Sequence, residues 1–131
     1  MIEKLIYKHD TARMLESIDI EIWVKDGKLY YNKNNFIIDL EGDNYADNAE
    51  SSVSIDEFEK KLAALKIEDW PKTSLPPEDI VYLDGSDWKV KVKYEGQKEI
   101  VRKGENAYPA NWNKFIKLLQ LTVGKFEKIT F

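Results

Sequence analysis

Between residues 18 and 24 apolar and polar positions alternate strictly, with Ile18, Ile20, Ile22 and Val24 on one side and Asp19, Glu21 and Trp23 on the other. A period of two puts one set into a core, so the segment reads as a strand with one buried face. Asp26-Gly27 suits the positive φ angles of a tight hairpin, which predicts a return strand from Lys28 to Asn32 and a third from Phe36 to Leu40. Residues 2–8 read as a further strand, and 10–17 as a short helix or an irregular link. The strongest alternation follows Asp84-Gly85: Trp88, Val90, Val92 and Tyr94 share one face while Lys89, Lys91 and Lys93 share the other. Glu95-Gly96 turns that strand back into residues 98–102. Short strands are also expected at 80–83 and 126–131.

Two stretches change to helical spacing. Ser54 with Glu57 forms a capping box ahead of Ile55, Phe58, Leu62 and Leu65, and Trp70-Pro71 closes that unit. Trp112, Phe115, Ile116, Leu119 and Val123 form a second apolar stripe, opened by Pro109 and stopped by Gly124. Residues 41–52 are polar and acidic and read as a mobile loop. The sum is an α+β fold in two layers: a largely antiparallel β-sheet with two amphipathic helices packed on one face, as a single domain over residues 1–131.

Composition narrows the chemistry. The chain has no cysteine, which removes disulfides, thiolate nucleophiles and cysteine metal sites. A net charge of −4 opposes binding to nucleic acid or anionic lipid as a whole molecule. No run is apolar enough for a signal peptide or a membrane span, so the expected location is the cytoplasm, with no membrane partner. No phosphate-cradling glycine loop is present among the six glycines, so no cofactor is expected.

His9 beside Asp10 is a formal base-and-orienter pair, but without a positioned nucleophile it reads as an exposed loop pair, and no catalytic residue is assigned. Asp39, Glu41, Asp43, Asp47 and Glu50 concentrate oxygen ligands, yet the position where a calcium loop needs glycine is Asn48, so the cluster reads as a solvated acidic loop and no metal site is assigned. Lys89, Lys91 and Lys93, extended by Lys98, Arg102 and Lys103, are the one place for a polyanion to dock. The simpler reading is a solvated strand face, with Asp19 and Glu21 opposite the lysines across neighbouring strands. Trp23, on the Asp19/Glu21 face, is either an interface anchor or covered by a second layer.

Asp84-Gly85-x-x-Trp88 followed by Gly104-x-Asn106-x-Tyr108-Pro109-x-Asn111-Trp112-x-x-Phe115 resembles a widespread group of small bacterial α+β proteins with no assigned activity, and the likeness runs over about residues 54–123. The resemblance implies a shared fold of strands and two helices, with some members encoded near toxin-associated or mobile genes, and it brings no catalytic residue. Taken on their own, the motif residues are scaffold. Gly104 permits an unusual backbone angle, Asn106 braces the loop, and the other reading is a ligand pocket walled by Trp88, Tyr108 and Trp112.

The expected function is therefore a small non-enzymatic protein-binding module of immunity or regulatory type, with Trp23, Asp19, Glu21, Lys89, Lys91 and Lys93 as its binding residues. The alternative is a small hydrolase or transferase whose carboxylates meet only in the fold.

Overall fold

The alternating segments pair into one seven-stranded sheet in a computed structural model that describes residues 1–11, 16–37, 44–76 and 85–129. The strands are β1 (Ile2–Thr11), β2 (Glu16–Lys25), β3 (Lys28–Ile37), β4 (Asn44–Glu50), β5 (Thr73–Ser74), β6 (Ser86–Tyr94) and β7 (Ile100–Glu105). Across the sheet they run β4-β3-β2-β1-β6-β7-β5, and only β5 lies parallel to its neighbour. The fold is α+β, and helices α1 (Ile55–Leu65) and α2 (Trp112–Val123) pack against the sheet.

The covered face gathers the apolar set of each strand. Leu5, Tyr7, Ile18, Ile20, Ile22, Val90 and Val92 are closed from solvent beneath Phe58, Leu62, Phe115 and Leu119 of the helices. Each such side chain contributes about 1.5–3 kcal/mol on burial, which makes this layer the main source of stability. Local chemistry sets the start of α1 and the end of α2, while α1 itself ends at Leu65, with Lys66 at φ 50°, ahead of a short 3-10 turn over Ile67–Asp69 that runs up to Trp70. Ser54 Oγ accepts the Glu57 N–H at 3.1 Å to start α1, and Gly124, at φ 81°, ends α2. No described helix is long and apolar enough to cross a membrane, a result that does not bear on membrane-spanning strands.

Several expectations are corrected. Residues 44–50 of the presumed acidic loop form β4, because the edge of β3 offers unpaired backbone groups and a ladder needs no apolar side chains. Asn48, at φ 50°, takes up the register shift between Tyr31 and Lys33. The return strand does not break after Asn32: β3 runs on to Ile37, because its polar residues find partners on the covered side. Lys33 Nζ donates to the Lys125 carbonyl at 3.0 Å, and Asn35 Oδ1 accepts the Glu127 N–H at 2.9 Å. Those contacts hold the last described segment across the sheet without strand pairing, so residues 126–129 are not an edge strand, although Phe126 and Ile129 are buried. The expected strand at 80–83 and the acidic residues 39, 41 and 43 lie outside the described residues.

Candidate functional site

The opposite face of the sheet carries no covering layer among the described residues, and every binding residue expected from the sequence stands on it. β2 contributes Asp19, Glu21 and Trp23, and β6 contributes Lys89, Lys91 and Lys93, the alternate positions to the buried Trp88, Val90 and Val92. Trp23 lies directly opposite Tyr30 of β3, and the two rings stack at 6.4 Å between centroids and 24° between planes. Of the four tryptophans this is the only one not buried, so the open-face alternative for Trp23 is the one realised.

The charges are arranged differently from the expected pairing. β1 lies between β2 and β6, so Asp19 and Glu21 do not meet the β6 lysines. They face β1 instead: Lys4 Nζ sits 2.7 Å from Glu21 and Lys8 Nζ 4.0 Å from Asp19. These exposed pairs add less than about 1 kcal/mol each. Beyond them, Lys8, Lys89 and Lys103 are register partners across β1, β6 and β7, a row of like charges. None of Lys89, Lys91 and Lys103 forms a salt bridge among the described residues. Arg102, expected in this patch, turns to the covered side, where its guanidinium donates to the carbonyls of Trp70 and Glu68. Trp23 lies opposite Lys4, itself opposite Lys93, so the aromatic pair borders the basic strands directly, while Glu21 and Asp19 lie opposite Ile6 and Lys8 further along β2.

Alongside the lysine row, two residues along each strand, the register places Asp10, Asp87 and Glu105 side by side on the same three strands. Together with Lys8, Lys89 and Lys103 they line a shallow hollow of about 300 Å³. Partial burial, then the neighbouring Asp19, raises the Asp10 carboxyl above its ordinary range; Lys8 acts against this and Asp87 adds to it. No group of three or more metal-ligating side chains suited to an ion occurs among the described residues.

His9 is the residue that sequence reasoning misplaced. It is no loop residue: it points from β1 into the core at 0% exposure, away from Asp10 on the other face. Its Nδ1 lies 2.6 Å from the Tyr7 hydroxyl and its Nε2 3.1 Å from Ser86 Oγ, which in turn lies 2.9 Å from the Tyr108 hydroxyl. Burial lowers the imidazole pKa from 6.5 to about 4, so the ring is neutral at pH 7. A serine beside a histidine suggests a nucleophile, but Ser86 is 2% exposed and substrate has no approach to it. The set is a satisfied polar network inside an aromatic cluster. A period-two reading carried two residues further along β1 would have placed Leu5, Tyr7 and His9 on one buried face.

The motif residues divide in the same way. Trp88 and Trp112 are 4.6 Å apart between centroids and pack with Trp70 and Phe115, so both are buried in the core, Trp88 reaching the edge of the hollow at Lys89 and Trp112 the edge of another beside Tyr108. Gly104 is needed for room and not for its backbone angle: a Cβ there would stand 2.5 Å from Trp88 Nε1 and 2.8 Å from the Ala107 carbonyl oxygen. Asn106 does brace the loop, accepting the Ser86 N–H on Oδ1 at 2.7 Å from a left-handed φ of 51°. The wide groove of about 880 Å³ at the start of α2 is lined by Trp70 and Asn111, whose polar groups are already engaged with each other and with the Leu65 carbonyl.

No protein-family model, curated protein or solved structure matches the chain, so the functional reading rests on this geometry.

Proposed function

We propose that the chain is a non-enzymatic protein-binding module of immunity or regulatory type, acting in the cytoplasm, with the open face of its sheet as the interface. The observation that carries this reading is the stacked Trp23–Tyr30 pair standing on the same uncovered face as the Lys8–Lys89–Lys103 row, in which Lys89 and Lys103 form no salt bridge among the described residues. A large aromatic flanked by charge, on a face with no layer over it, is how protein interfaces combine an anchor with a polar surround. Exposed Phe36 and Tyr45 extend the apolar area on the β3–β4 side. Affinity capture with the intact chain tests the reading, using Trp23→Ala and Lys60→Glu as comparators on the open face and on α1. The expected result is a partner lost with the first and kept with the second. Retention of every captured protein by Trp23→Ala would refute it.

The hollow at Asp10, Asp87 and Glu105 favours a second reading, a small hydrolase or transferase, because three carboxylates converge there and one is raised in pKa. It requires turnover of a small substrate that Asp10→Asn abolishes while the Trp23→Ala variant stays active.

A further inference from the structure

We infer that the partner of the open face is an acidic polypeptide, docked on the lysine lattice of β1, β6 and β7. This rests on the reading of that face as an interface. Lys8, Lys89 and Lys103 are register partners on three adjacent strands, and Lys91 and Lys93 continue the lattice along β6. Neighbours across strands stand roughly 5 Å apart and alternate residues along a strand roughly 6.7 Å apart, so these side chains leave the sheet as a closely spaced array, from which Lys8 leans to Asp19 and Lys93 Nζ donates to the Tyr94 and Gln97 carbonyls. Like charges directly opposite one another weaken a sheet. A chain with 24 acids and 20 bases has acids enough to alternate across the strands, yet lysine faces lysine in the Lys8–Lys89–Lys103 row and acid faces acid in the Asp10–Asp87–Glu105 row beside it. A carboxylate-bearing surface relieves that repulsion on docking, and the same field steers its approach. Ile6 and Val101 lie opposite Lys91 on either side, and half-exposed apolar groups among the ammonium groups match a polypeptide's side chains.

Single-stranded nucleic acid is the competing occupant, since it combines a charged backbone with bases that stack on aromatics. Trp23 lies opposite Lys4, which lies opposite Lys93, so the aromatic pair borders the basic strands, and what opposes a nucleic acid is the chemistry of the basic groups. Arg102, the one described arginine, donates on the covered side and leaves no planar fork for phosphate on this face.

The test is titration of the isotope-labelled intact chain with short poly-L-glutamate and with oligo(dT) of matched charge, followed by amide chemical shifts. Poly-L-glutamate is expected to shift residues 8, 89, 91 and 103. Lys89→Glu/Lys91→Glu should weaken its binding by about tenfold or more, while Lys60→Glu/Lys117→Glu on the helical layer leaves it unchanged. Circular dichroism checks that both variants remain folded. Absence of binding, or an equal loss in the two variants, overturns the inference. Tighter binding of oligo(dT) at the same salt, or shifts confined to Trp23 and Tyr30, also overturns it but leaves the open face standing as an interface. Shifts confined to the helical layer overturn both.

Discussion

The Tyr7 hydroxyl lies 2.6 Å from Nδ1 of His9, two residues further along the same strand, and the two rings meet edge to face at 5.8 Å between centroids. Both residues are closed from solvent; among the described residues the phenol is the hydrogen-bond partner of that nitrogen, and Ser86 serves the other. The imidazole is thereby fixed as a neutral core residue.

Its titration predicts an acid-labile fold. Because burial lowers the folded pKa to about 4 from 6.5, the unfolded chain takes up a proton before the folded one does. Stability is therefore complete above pH 6.5, falls as pH drops toward 4, and loses about 3 kcal/mol over that window. Asp10 acts in the opposite sense, since its raised folded pKa favours the folded state on acidification. Urea unfolding at a series of pH values measures the slope, and His9→Gln should flatten it. Tyr7→Phe, which strips His9 Nδ1 of its partner, should cost about 1–3 kcal/mol at pH 7.

Gly104→Ala should destabilise the protein by about 1–3 kcal/mol even though alanine suits a strand better than glycine does. The new Cβ meets the Trp88 indole at 2.5 Å and disturbs the 2.9 Å bond from its Nε1 to the Ala107 carbonyl. Thermal melting gives the loss, and a changed tryptophan emission would locate it at Trp88.

Asn106 performs two tasks that separate by substitution. Asn106→Gly keeps the left-handed backbone but loses the bond to the Ser86 N–H, whereas Asn106→Ala loses the bond and strains the backbone as well. The expected order of stability is native, then glycine, then alanine, with the second step near 1 kcal/mol. Equal melting temperatures for the two variants would remove the backbone part of this account.

On the open face stability and binding should move in opposite directions. Lys89→Glu places an acid between its register partners Lys8 and Lys103, which should raise stability by about 0.2–1 kcal/mol while impairing docking of an acidic partner. Trp23→Ala removes only the stack with Tyr30 from a partly exposed site and should cost less than about 1.5 kcal/mol. Chemical denaturation beside a binding titration reads both quantities on the same variants.

Which residues share a face is a local property, since successive side chains on a strand point to opposite sides whatever lies beside it. The sequence alone therefore determined that Trp23, Asp19 and Glu21 oppose the isoleucines of β2, that Lys89, Lys91 and Lys93 oppose Trp88 and the valines of β6, and that Ser54 and Gly124 bound helices. Caps and turns are equally local, because their hydrogen bonds close within a few residues.

Neighbours across strands are a different matter. Pairing joins segments far apart in the chain, and only the assembled sheet set β1 between β2 and β6, giving Lys4 and Lys8 to the acids and placing Lys89 between Lys8 and Lys103. The same holds for β4, whose polar side chains carry no strand signal but whose backbone completes the β3 edge. It holds also for His9, made a core residue by Ser86 and Tyr108 from 77 and 99 positions away. Such partners satisfy a buried polar group only when the tertiary structure brings them together.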